Sequence, residues 1–96
     1  MPAGYVIAQI TVTDPVAYKD YVAAVTPIIA EFNGEYLVRG GPAEFFEGDP
    51  VGERTVVIRF PSLQAARDWY HSEAYAPVKA MRQRASTSLQ TIVEGA

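Results

Sequence analysis

The chain opens on strict alternation. From Tyr5 to Thr13, Val6, Ala8, Ile10 and Val12 fall on one side, and Tyr5, Ile7, Gln9 and Thr11 on the other. A period of two is that of a strand, here with one fully apolar face and one mixed face. Asp14-Pro15 then changes the period. The aspartate side chain accepts amide hydrogens of a first helical turn, and proline at the first helical position loses no bond. Tyr18, Tyr21, Val22, Val25, Ile29 and Phe32 follow at three- and four-residue spacing and form one buried stripe. Pro27 lies within that stretch and predicts a kink or short break.

Asn33-Gly34 suits the left-handed conformation that ends a helix. Glu35 to Gly40 reads as a second strand that turns or bulges at Gly40-Gly41-Pro42, with Ala43 to Glu47 either extending it or beginning an arm. Gly48-Asp49-Pro50-Val51-Gly52 is a loop, and Glu53 to Phe60 is a third strand with Val56, Ile58 and Phe60 on one face. Ser62 caps a helix from Leu63 to about His71, and Ser72 caps another from Glu73 to about Arg84, with Pro77 near its start. Leu89 to Glu94 closes the chain as a β-branched strand.

The order β-α-β-β-α-β predicts an α+β fold of ferredoxin-like topology as one domain over residues 1–96: a four-stranded antiparallel sheet with helices on one face. Right-handed crossovers place strands one and three in the centre. The uncovered face would carry Tyr5, Ile7, Thr55 and Val57, too apolar to suit water, so a homodimer through the open sheet face is expected.

Composition narrows the partners. Ninety-six residues, about half of them hydrophobic, supply one core. The net charge of −3 and the scattered Lys and Arg residues argue against nucleic acid, which needs a concentrated cationic surface. No apolar stretch approaches the roughly 20 residues of a membrane span, and the N-terminus lacks a basic leader. Cysteine is absent, which removes thiolate chemistry and fits a reducing compartment, so the cytoplasm is expected.

Several segments carry a resemblance. Leu37-Val38-Arg39-Gly40-Gly41, Glu47-Gly48, Val56-Val57-Ile58-Arg59-Phe60-Pro61-Ser62, Trp69-Tyr70-His71-Ser72-Glu73-Ala74-Tyr75, Arg82 and Val93-Glu94-Gly95 together resemble a bacterial domain-of-unknown-function family, number thirteen-thirty. The resemblance runs over nearly the whole chain. It implies the dimeric α/β-barrel superfamily, whose members pair their sheets back to back and often enclose a cavity between sheet and helices. Relatives at that level include cofactor-independent monooxygenases, haem-degrading enzymes, isomerases and ligand-sensing domains, so fold alone assigns no reaction.

The candidate chemistry is sparse. His71 is the single histidine and the one side chain ready to shuttle a proton near neutrality, although a helix-terminal histidine also bonds free carbonyls. One histidine without cysteine argues against a zinc site, and no metal or cofactor is expected. Arg39, beside two glycines, can hold a carboxylate or enolate in its fork, or pair with Glu47 or Glu94. Tyr70 and Tyr75 flank a break between the C-terminal helices, with Trp69 beside them, as walls for a small organic acid or, more commonly for aromatics at helical spacing, as core packing. Arg82 offers a second anion contact or pairs with a carboxylate at the surface. Two readings stay open. One is a dimeric small-molecule-binding protein that takes a small carboxylate or phenolic metabolite, with His71 as proton handler in an enzymatic version resembling the cofactor-free monooxygenases and isomerases. The other is a non-catalytic structural or regulatory dimer.

Overall fold

The structure, a computed structural model, describes residues 2–96. In chain order it consists of β1 (Gly4–Val12), α1 (Pro15–Glu31), β2 (Glu35–Arg39), β3 (Arg54–Phe60), α2 (Leu63–Tyr70), α3 (Ala76–Ala85) and β4 (Ser86–Glu94). The four strands form one antiparallel sheet in the order β2-β3-β1-β4, with the first and third strands central as the crossover rule requires. The helices lie on one face. The fold class read from the hydrophobic pattern is therefore the observed one, with the second helical region divided into α2 and α3.

Local chemistry accounts for most boundaries. The Asp14 carboxylate accepts from the Ala17 amide at 3.1 Å and caps α1. The helix ends where Asn33 takes φ 62° and the Gly34 amide donates to the Ile29 carbonyl at 2.9 Å. A side chain at Gly34 would strike Ile29 and Phe60, so this glycine lets β2 leave close to the core. Pro27 does not break the helix as expected: α1 runs unbroken from Pro15 to Glu31, with Pro27 on its exposed side and Val25 and Ile29 buried on the other. Core packing on the apolar stripe outweighs the loss of one backbone bond.

Two other boundaries differ from the sequence expectation. The final helix starts at Ala76 rather than Glu73, because the Ser72 hydroxyl accepts from the Tyr75 amide at 3.1 Å and donates to the Trp69 carbonyl at 2.8 Å, which holds a separate turn between α2 and α3. The last strand begins at Ser86 rather than Leu89, since β4 pairs with β1 all the way to Val12 opposite Ser86. Residues 40–53 contain no strand or helix, so Ala43 to Glu47 does not extend β2. That segment is tied down at its far end, where Val51 donates its amide to Gln9 Oε1 at 3.0 Å and its carbonyl accepts from the Thr11 hydroxyl at 2.9 Å.

The core fills the space between sheet and helices. Val6, Ala8, Ile10, Val56, Ile58 and Phe60 face Tyr21, Val25, Ile29, Ala66, Trp69 and Tyr75, all buried. The opposite sheet face is uncovered. There Ile7, Leu89 and Val93 remain 40–50% exposed, with Ile7 on β1 opposite Thr91 and diagonal to Leu89 and Val93 on β4. Among the described residues no helix is long and apolar enough to cross a membrane.

Candidate functional site

The last helix brings the site's polar groups together. Tyr75, at the N-cap of α3, and Arg82, seven residues on, sit two turns apart on one helical face. Arg82 Nη1 accordingly donates to the Tyr75 hydroxyl at 2.9 Å, and that hydroxyl lies 2.9 Å from the Tyr21 hydroxyl on α1. Tyr75 is fully buried and stacks on Trp69 with ring centroids 4.3 Å apart, while the Phe60 ring lies 5.4 Å from that of Trp69. The chain Arg82–Tyr75–Tyr21 is thus held by aromatic packing, Tyr75 on Trp69 and Tyr21 on Tyr18 with ring centroids 5.4 Å apart.

Arg82 is only 4% exposed, yet no carboxylate accompanies it. Among the described residues the one ion pair joins Arg59 to Glu35 at 3.7 Å on the exposed sheet face. The Arg82 charge is opposed by burial and favoured by the surrounding oxygens of Tyr75, Tyr70 and Tyr21, and the latter prevail. Burial pushes the Tyr21 phenol far above its ordinary range, with the neighbouring Tyr75 oxygen adding to the effect. Burial also raises Tyr75, although its hydrogen bond with Tyr21 and the Arg82 charge pull the other way. Both phenols stay protonated near neutrality.

Beside this chain lies a cavity of about 30 Å³ between sheet and helices, room for roughly two waters. Tyr21, Trp69 and Arg82 line it, together with Arg54 from β3 and Tyr36 and Arg39 from β2. Arg54 follows the alternation of Val56 and Ile58 onto the helix side, where its guanidinium lies 5.4 Å from the centre of the Tyr18 ring. Tyr36 and Arg39 are three residues apart and would face opposite sides of a regular strand. They share a side because β2 shifts register between Tyr36, opposite Ile58, and Val38, opposite Val57. The bulge therefore sits inside the strand rather than at Gly40-Gly41-Pro42, and it turns Arg39 inward over the Tyr36 ring at 5.1 Å. Gly40 follows at φ 74°, and a side chain there would collide with the Arg54 guanidinium.

The residues singled out from the sequence divide accordingly. Arg39 and Arg82 line the cavity, and Tyr75 is bonded to Arg82 just behind it. Tyr70 is half-buried, with its ring 5.9 Å from that of Tyr75 and the Lys79 ammonium 4.2 Å from its centre. His71 caps α2 through its backbone, is exposed, and lies outside the cavity lining with its ring edge-on to Tyr70. Arg39 has no ion pair with Glu47 or Glu94. Three members of the site, Tyr36, Arg54 and Tyr21, escaped the sequence reading. Arg54 carried a legible signal, an arginine in phase with the buried positions of its strand. Tyr21 was indistinguishable from any other aromatic on a helical stripe.

Comparison with solved structures places this arrangement in a known fold. The chain is similar to the RPA0582 protein of unknown function from Rhodopseudomonas palustris, with a TM-score of 0.78 and 14% identity over 99% of this chain and 83% of that one. It is also similar to SnoaB, a cofactor-independent oxygenase from Streptomyces nogalater, with a TM-score of 0.67 and 15% identity over 100% of this chain and 95% of that one. Identities this low establish the fold alone. Comparison with curated protein sequences gives no match. The match that covers residues 3–96 is to a family profile, and by it the chain belongs to the domain of unknown function family DUF1330.

Proposed function

We propose that the protein is a homodimeric small-molecule-binding protein whose ligand, a small carboxylate or phenolic metabolite, is held between sheet and helices by Arg82, Tyr75, Tyr21, Arg54 and Arg39. The observation that carries this reading is Arg82: a guanidinium almost wholly buried, beside a cavity, with no carboxylate to balance it. A buried charge without a partner is expensive, and a ligand that supplies the opposite charge explains why it is there. Arg39 and Tyr36 stand at the exposed margin of the same cavity and suit its entrance.

The dimer rests on the uncovered sheet face. Ile7, Leu89 and Val93 leave apolar surface exposed on that face, and a second copy would bury it by a two-fold pairing of like faces. An enzymatic version, in the manner of a cofactor-independent oxygenase, draws on the likeness to SnoaB. A non-catalytic dimer is the alternative.

Native mass spectrometry of protein purified gently from its own host tests these points together. A dimer that carries a discrete small adduct is the expected result. A clean dimer that shows no saturable binding of any small carboxylate or phenol favours the structural alternative. A monomer at micromolar concentration overturns the account of the open sheet face.

A further inference from the structure

Among the described residues three side-chain donors are buried and have no acceptor: Arg54 Nε, Trp69 Nε1 and Arg82 Nε. All three belong to residues that line the one cavity beside Arg82. Such groups are rare in folded proteins, and each calls for an explanation. A fourth donor follows from counting hydrogens. Tyr21 and Tyr75 share one hydrogen bond, which uses one of their two phenolic hydrogens, and Arg82 can only donate to Tyr75. The guanidinium polarises the Tyr75 hydroxyl and makes it the better donor toward Tyr21. Either hydroxyl can be the donor in that bond, so a ligand can recruit the spare hydrogen through Tyr21, which lines the cavity.

Against these donors the lining sets no carboxylate and no imidazole; Arg39, Arg54 and Arg82 are its charged groups. It offers no base to a neutral ligand, and an ordinary phenol ionises only near pH 10. A phenol entering this space would keep its hydrogen, offer a single oxygen, and leave the arginine charges unbalanced. An ionised carboxylate brings a full negative charge and about four acceptor positions, enough for these donors. The cavity's 30 Å³ admits such a head group and little more, so any larger tail runs out past Tyr36 and Arg39.

Resting on the small-molecule reading above, we propose that the site selects a ligand that arrives already ionised, a small monocarboxylate bound head-first, and that it rejects neutral phenols. The single tryptophan makes the test direct, since its indole N–H gives one unambiguous nitrogen–proton resonance. Acetate, acetamide and phenol are titrated into the protein in a buffer free of carboxylate and phosphate, and the Trp69 indole and arginine Nε–H resonances are followed. Acetate is expected to shift them saturably, with acetamide and phenol at least about tenfold weaker. Arg82→Met, and separately Arg54→Met, should abolish saturation while Arg59→Met, on the exposed face, preserves it. Saturable shifts by acetamide or phenol equal to those by acetate would overturn the charge selection and leave the small-molecule reading standing. Absence of any saturable shift by the three probes in the folded wild-type protein would overturn both.

Discussion

Replacing Arg82 with methionine separates a charge kept for a ligand from a charge kept for the fold. Methionine preserves an unbranched stem of similar reach, so the packing against Tyr75 and the cavity wall changes little. The substitution removes one charge-assisted hydrogen bond, worth about 1.5–3 kcal/mol, to the Tyr75 hydroxyl. That hydroxyl keeps Tyr21 as a partner, so no new orphan is created. On the other side, the variant eliminates an unpaired buried Nε–H and a guanidinium 4% exposed with no carboxylate beside it. Removal of one unsatisfied donor alone recovers about 1–3 kcal/mol, and the desolvation of an unbalanced ion amounts to several more. The oxygens of Tyr75, Tyr70 and Tyr21 offset most of that desolvation, so the balance favours the variant only slightly, by about 1 kcal/mol. For a domain of this size each kcal/mol moves the melting temperature by about 4–8 °C. Thermal melting followed by circular dichroism, without carboxylates in the buffer, should therefore show Arg82→Met melting higher than the wild type, while acetate no longer stabilises it. A melting temperature more than about 4 °C below the wild type would refute the reasoning, because the charge would then be serving the fold through contacts inside the protein.

Tyr75→Phe keeps the stack on Trp69 but leaves both Arg82 Nη1 and the Tyr21 hydroxyl without their partner, and denaturant unfolding should register a loss of about 2–4 kcal/mol. The raised phenols of Tyr21 and Tyr75 fix the sign of the alkaline response. Above pH about 10 the unfolded chain releases these protons while the folded one retains them, so stability is full below that pH and falls above it by about 1.4 kcal/mol per pH unit for each buried tyrosine. Ultraviolet titration should find these two phenols ionising together with unfolding; smooth ionisation of both in the native state near pH 10 would contradict the burial argument. Arg39→Ala should change stability by no more than about 0.5 kcal/mol, because its guanidinium is exposed and has no carboxylate partner, and a clear loss measured on the dimer would point to an intersubunit ion pair instead. His71→Asn should leave the melting curve unchanged, since the residue caps α2 through its backbone amide. A loss of turnover in that variant, once a reaction is known, would restore the histidine to the chemistry.

The sequence by itself determined the elements and their order. Alternation in residues 5–13 and 53–60, the stripe from Tyr18 to Phe32, and the caps at Asp14 and Ser62 are local signals, and local signals survive without knowledge of the fold. The boundaries that moved were set by contacts distant in sequence. Pro27 stays helical because the buried residues around it pack on the sheet, and β4 gains Ser86 to Ser88 because β1 continues beside it. The site was legible in part. Arg39, Tyr75 and Arg82 could be named as polar groups near glycines, aromatics and a helix break, but their relation could not. A single-residue register shift in β2 decides that Arg39 faces the cavity, and such a slip leaves no mark in hydrophobic periodicity. The link from Tyr21 to Tyr75 spans 54 residues and exists because α1 packs against α3. Only the packed structure reveals that Arg82 is buried without a counter-charge, because the absence of a carboxylate in space cannot be read from a chain whose acidic residues outnumber its basic ones.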